Sequence, residues 1–213
     1  MLRSKVAVSL MAWILSSSIC YGALVIRVTE DPGLPAGQTR WTFSGSTTYT
    51  RVNSDAVIAG GSSAAIREWK GAGAVADFVV SGAYNNYLAS QVSGSIDVSV
   101  IRGISSIISD NIDGLHIDHD SSGDDFGISL TTLTDIVLQD QDVLSLSGSA
   151  VFDVDFAKLN QGTFQFVDYD DPLAGSLPIT LMVEAVPEPS SALVGLGLMA
   201  ATGGIRRLRR RAD

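Results

Sequence analysis

The sequence predicts an all-β fold, an antiparallel β-sandwich-like single domain over residues 24–185, with an N-terminal signal helix and a C-terminal apolar helix at its ends. Three observations predict it. Short runs alternate apolar and polar residues with a period of two, which sends successive side chains to opposite faces of a sheet. Those runs are bounded by Gly, Ser, Asn, Asp or Pro, as hairpins require. Eighteen of the twenty-one acidic residues between Leu24 and Ala185 are Asp and three are Glu, which favours the residue that bonds back to its own backbone in turns.

The runs follow in order. Trp41 and Phe43 alternate with polar neighbours, then Ile96, Val98 and Val100, then Phe152, Val154 and Phe156 against Asp153 and Asp155. Phe164 and Phe166 come next, and Ile179, Leu181 and Val183 close the series. Their spacing of roughly 8 to 12 residues fits a sandwich or a related two-layer sheet. One short helix is expected over Ser62–Lys70, where Ala65, Ile66 and Trp69 share a helical face. Ser-Gly-Ser or Ser-Gly-Ala recurs at Ser44, Ser81, Ser93 and Ser147, but the intervals of 37, 12 and 54 residues are irregular and argue against a solenoid.

At 213 residues the chain is long enough for one cored domain and short for two large ones. Charged residues make up 17% of it, against about 25% in an average domain. Between Leu24 and Ala185 seven basic residues face twenty-one acidic ones, a balance of −14. Such a body repels nucleic acid and anionic membranes, so no nucleic-acid partner is expected.

The first 23 residues read as a signal peptide. Arg3 and Lys5 precede the apolar run Val6–Leu15, and small or polar residues follow up to a cleavage point after Gly22 or Ala23. The expected partners are signal peptidase and the general export machinery. Ile19 stands where a lipoprotein signal wants a small residue, so Cys20 is not read as a lipid anchor. Cys20 is also the only cysteine, and cleavage beyond it leaves a body without disulfides or thiol chemistry.

The last 28 residues, 186–213, form a third unit. Val186 and Glu188 each precede a proline, and Pro187 and Pro189 have fixed φ and no N–H, so this stretch is extended. Ser190–Ile205 then holds sixteen residues without a charge, about 24 Å as a helix, enough to enter a bilayer with some thinning or snorkelling. Arg206, Arg207, Arg209, Arg210 and Arg211 follow and would stay on the cytoplasmic side. The expected precursor has both termini inside and its acidic middle exported.

Val186–Arg211 resembles the PEP-CTERM sorting signal of bacterial exported proteins, a module also called the ice-binding protein C-terminal domain. The resemblance implies that a membrane exosortase cuts near Pro187–Pro189. It also implies that the mature protein resides at the cell surface or in an extracellular matrix, often alongside exopolysaccharide, with the membrane touched only transiently. Phe126–Phe166 and Arg40–Thr48 are similar in cadence to the β-rich bodies of many PEP-CTERM proteins, and that likeness transfers no catalytic residue.

One cluster invites a chemical reading, Leu115–Gly127, which contains both histidines, His116 and His119. Asp118, Asp120, Ser122 and Gly123 match the first half of a calcium loop, with Asp124 beside them, but Ser129 stands where the bidentate glutamate belongs. The reading offers a solvated acidic loop, a calcium site on Asp118, Asp120, Ser122 and Asp124, or a catalytic metal; in a strand the two histidines fall on opposite faces. No other cofactor is expected. The sequence has no Gly-x-Ser-x-Gly elbow, no phosphate loop and no regular Thr-x-Thr ladder.

Three functions follow as expectations. The first is a non-enzymatic exported surface or matrix protein that contacts polysaccharide. The second is a calcium-dependent or carbohydrate-binding adhesion module, favoured by exposed aromatics among Trp41, Trp69, Tyr84 and Tyr87. The third is a surface hydrolase built on His116 or His119 and two buried carboxylates.

Overall fold

The computed structural model describes residues 23–58, 68–71, 77–120, 123–131, 135–169 and 175–185. The signal segment and the tail, with the helices expected in them, lie outside the described residues. The strands are β1 (Leu24–Thr29), β2 (Thr39–Ser44), β3 (Ser46–Thr48), β4 (Thr50–Arg51), β5 (Ala56–Ile58), β6 (Glu68–Gly71) and β7 (Tyr87–Arg102). They continue with β8 (Ser105–Asp120), β9 (Gly123–Leu130), β10 (Ile136–Leu138), β11 (Val143–Phe152), β12 (Gly162–Tyr169) and β13 (Gly175–Glu184). A 3-10 turn, Phe156–Lys158, interrupts the run between β11 and β12, capped by the Asp155 side chain on Ala157 N.

The all-β class is what the structure shows. In place of two separate stacked sheets, eleven strands join one curled sheet in the order β1-β2-β11-β7-β8-β9-β6-β12-β13-β4, with β3 on β11. β1 and β13 also pair, in parallel, with Leu24 opposite Ile179 and Thr29 opposite Glu184. The pairings therefore return to their start, which leaves few open edges to template aggregation. A separate ribbon joins β5 and β10. β7 and β8 are 16 residues each, longer than the expected spacing allows.

Alternation sets the inner face. Leu24, Ile26 and Val28 of β1 are buried, as are Ile96, Val98 and Val100 of β7 and Ile179, Leu181 and Val183 of β13. Opposed walls meet through Trp41 of β2, which stacks on Phe126 of β9 at 5.7 Å between centroids and 7° between planes, although four pairings separate those strands. Trp69 also stacks on Phe126, at 5.9 Å, and its indole N–H donates to Leu177 O at 2.7 Å. The expected helix over Ser62–Lys70 is corrected here: Glu68–Gly71 is strand β6, between β9 and β12. Ser62–Arg67 lie outside the described residues. Val154 is buried beyond the end of β11, and Phe156 belongs to the 3-10 turn, half-buried, so the strand pattern there stops at Phe152.

Two local features show sequence deciding backbone. Pro178 lacks an N–H, and it falls where the β12–β13 register shifts between Phe166 and Asp168, a place where a strand tolerates proline. Gly94 and Gly148 hold φ of 89° and 130° at the close approach of β7 and β11. A Cβ on Gly148 would sit 2.4 Å from Ser95 O, and one on Gly94 2.4 Å from Ser149 O. Gly148→Ala should therefore lower unfolding free energy by about 1–3 kcal/mol, read as a lower midpoint in urea, whereas Gly82→Ala, where nothing lies within 4 Å of the added carbon, meets only the cost of its φ.

Candidate functional site

The histidine and aspartate cluster is a hairpin, and the solvated acidic loop is corrected. β8 runs through Asp120 and β9 resumes at Gly123, with His119 opposite Asp124 and Asp118 opposite Asp125. His119 and Asp124 share the face of Ile117 and Phe126, while His116 and Asp118 occupy the other, as the alternation of a strand requires. Asp118 and Asp124 therefore point to opposite sides and cannot close on one ion in this conformation. Ser122 lies outside the described residues. Among the described residues no group of three or more His, Cys, Asp or Glu side chains could hold a metal ion.

The side chains of His116, Asp118 and Asp124 each have a partner in the segment before β7. Asp124, fully buried, accepts from Val79 N at 2.6 Å and lies 2.6 Å from His119 Nδ1. Burial pushes its carboxyl up from the usual range, opposed by the Val79 amide and His119. Asn86 holds a left-handed φ of 50°; its N–H donates to Asp118 Oδ1 at 2.7 Å, and its Oδ1 lies 2.7 Å from His116 Nε2. Phe78, from the same segment, packs its ring against Phe126, Phe164 and Phe166. The chemistry of the cluster is that of a fastening, which holds residues 77–86 across one end of the curled sheet.

No family model, no curated protein and no solved structure matches this chain. The site is therefore argued from its own atoms. Among the described residues His119 has no nucleophile bonded to it, and Asp124 is the one carboxylate in contact with it.

A fastening makes a specific prediction. Asp124→Ala leaves the Val79 N–H buried and unpaired, and should cost about 1–3 kcal/mol. Asp124→Asn retains an acceptor for that N–H. Because the carboxyl is raised in the folded state, the native protein holds its proton in the window above 3.8, and this contribution to stability is lost as pH rises through the folded value. Asp124→Asn, neutral throughout, should thus destabilise less than Asp124→Ala at pH 7, compared by thermal midpoints.

The remaining sequence expectations divide clearly. Trp41, Trp69 and Tyr84 are buried, so they are core and not an exposed aromatic platform. Tyr87, half-buried, lies 4.6 Å from the Tyr84 ring and donates its hydroxyl to Asp153 O at 2.7 Å. Val186, Pro187, Glu188 and Pro189 and the five arginines from Arg206 to Arg211 lie outside the described residues. Sequence reasoning missed two carboxylates. Asp142, fully buried, receives Arg102 Nε at 2.9 Å, Arg102 Nη2 at 2.6 Å and Gln139 N at 2.8 Å. Asp113 lies at an irregularity in β8.

Proposed function

We propose that this chain is a non-enzymatic exported protein of the cell surface or extracellular matrix, sorted by its C-terminal segment. Signal peptidase removes residues 1–22 or 1–23, and a membrane exosortase cuts near Pro187–Pro189, with exopolysaccharide as the matrix partner. The observation that carries this reading is an order of features: Pro-Glu-Pro, sixteen uncharged residues, then five arginines. The series opens at Val186, two residues after the last residue of β13. The body completes its sheet before the sorting segment begins, so cutting at the prolines removes no strand.

The chemistry of the described residues favours this over the alternatives. A hydrolase on His119 wants two carboxylates or a nucleophile beside the ring, and Asp124 alone touches it. A calcium-dependent adhesion module on Asp118 and Asp124 requires the hairpin to open, because their side chains leave opposite faces.

Intact-mass spectrometry of the protein recovered from its native cells tests the reading. A species beginning at Ala23 or Leu24 and ending near Pro187–Pro189 is expected. A mass equal to the whole 213-residue chain would contradict it.

A further inference from the structure

We propose that the wall of the curled sheet carries a binding subsite for a neutral sugar residue, centred on Asp113. It rests on strand geometry and not on the sorting tail, so its failure would leave the export reading untouched.

The wall is irregular at this residue on both sides. Toward β7 the register shifts between Ser90, opposite Gly114, and Asp97, opposite Asn111, so residues 91–96 face only Ile112 and Asp113. Toward β9 it shifts between Ile112 and Gly114. Bulges of this kind re-aim side chains and are common beside binding sites. The result is a groove of about 270 Å³ lined by Leu88, Ala89, Ser90, Asp113, Gly114 and Ser129.

The lining decides the ligand. Asp113 Oδ1 is buried and has no hydrogen-bond partner among the described residues, an arrangement that is costly unless a donor arrives. The Ser90 and Ser129 side chains bring hydroxyls to the same groove. Gly114 keeps the floor open, because a Cβ there would come within 3.1 Å of Ala89 O and 3.5 Å of Ser129 Cβ. Leu88, 43% exposed, supplies an aliphatic wall. One acceptor-only carboxylate, two hydroxyls and an aliphatic surface match a sugar ring, with its hydroxyl donors on one side and its C–H face on the other. Asp113 is the one carboxylate in the lining, too few for a dedicated cation cage, which takes 6–8 oxygen ligands for calcium. Repeats along a polysaccharide present this subsite with many equivalent rings.

The test uses the full chain, purified in a detergent without a sugar headgroup and run in native gels containing dextran, a β-glucan, a galactan or a mannan. Retardation by at least one polysaccharide is expected. Asp113→Ala should weaken it at least tenfold, and Ser90→Ala should weaken it with the thermal midpoint retained. Asp97→Asn, outside the groove, should bind as wild type. Absence of retardation by all four polysaccharides would overturn the proposal. So would wild-type binding by Asp113→Ala and Ser90→Ala together. A thermal midpoint raised by calcium in wild type but not in Asp113→Ala would assign the groove to a cation and overturn it equally.

Discussion

Trp41→Ala should cost about 3–5 kcal/mol, the range for truncating a large aromatic in a packed core. The indole is fully buried, stacks on Phe126 of β9, a strand not paired with its own, and meets Phe152 of the neighbouring β11 edge-on at 6.3 Å. Its removal leaves a void between β2 and β9. Trp41 Nε1 has no hydrogen-bond partner among the described residues, so Trp41→Phe trades lost volume against the removal of an unpaired buried N–H. The phenylalanine variant should retain most of the stability, and a urea titration of the three proteins reads the order wild type, Phe, Ala.

Arg102→Ala should also lower stability, for an electrostatic reason. It strands the Asp142 carboxylate, fully buried, with the Gln139 backbone N–H as its remaining donor, and an uncompensated buried charge is what makes breaking such pairs costly. The same guanidinium also reaches Val137 O at 3.1 Å, so the tip of the β7–β8 hairpin loosens from β10 as well. Arg102→Lys keeps the charge but loses the two-pronged contact, and should recover only part of the loss.

The pH dependence of that pair has a definite sign. Burial pushes the Asp142 carboxyl up, but the Arg102 hydrogen bonds and the Gln139 amide outweigh it and hold the group below 3.8. A lowered carboxyl contributes stability that is present above 3.8 and lost as pH falls through the folded value. The gap between wild type and Arg102→Ala should be widest near neutral pH and close in acid. Thermal midpoints at pH 7 and pH 3 measure it, and a gap that widens in acid would contradict the assignment.

The inner face of the sheet was legible because alternation is local. Ile96, Val98 and Val100 alternate with polar neighbours in the sequence, and all three are buried. Closure was not legible, because the parallel pairing of β1 with β13 joins residues 155 positions apart, such as Leu24 and Ile179, and alternation names a face without naming a partner strand. Trp69 shows the limit of short patterns: its helical arc with Ala65 and Ile66 names no partner, whereas Glu68–Gly71 pairs as a strand with β9 and β12. The acidic hairpin misled for a related reason. Composition reports Asp as a turn former, yet Asp124 is placed inward by its register with His119 and is held there by Val79 N.

Asp113 did leave a trace. Ile112, Leu115 and Ile117 are all buried, but the first gap is three residues and the second two, so a period-two strand must carry an extra residue between Ile112 and Leu115. That residue pair is Asp-Gly, a carboxylate beside the one side chain that takes no space. The Arg102–Asp142 pair left no such trace, because its members lie 40 positions apart and belong to unrelated local patterns.

Under the proposed function, the acidic body is carried across the membrane and tethered there by its C-terminal segment until it is cut. Alkaline phosphatase inserted after Ala185, ahead of Val186, reports the side directly in the native cell. The account predicts enzyme activity outside the cytoplasm, in a fusion that shortens when the prolines are intact and stays membrane-bound when Pro187 and Pro189 are both replaced by alanine. An inactive, cytosolic fusion would contradict it.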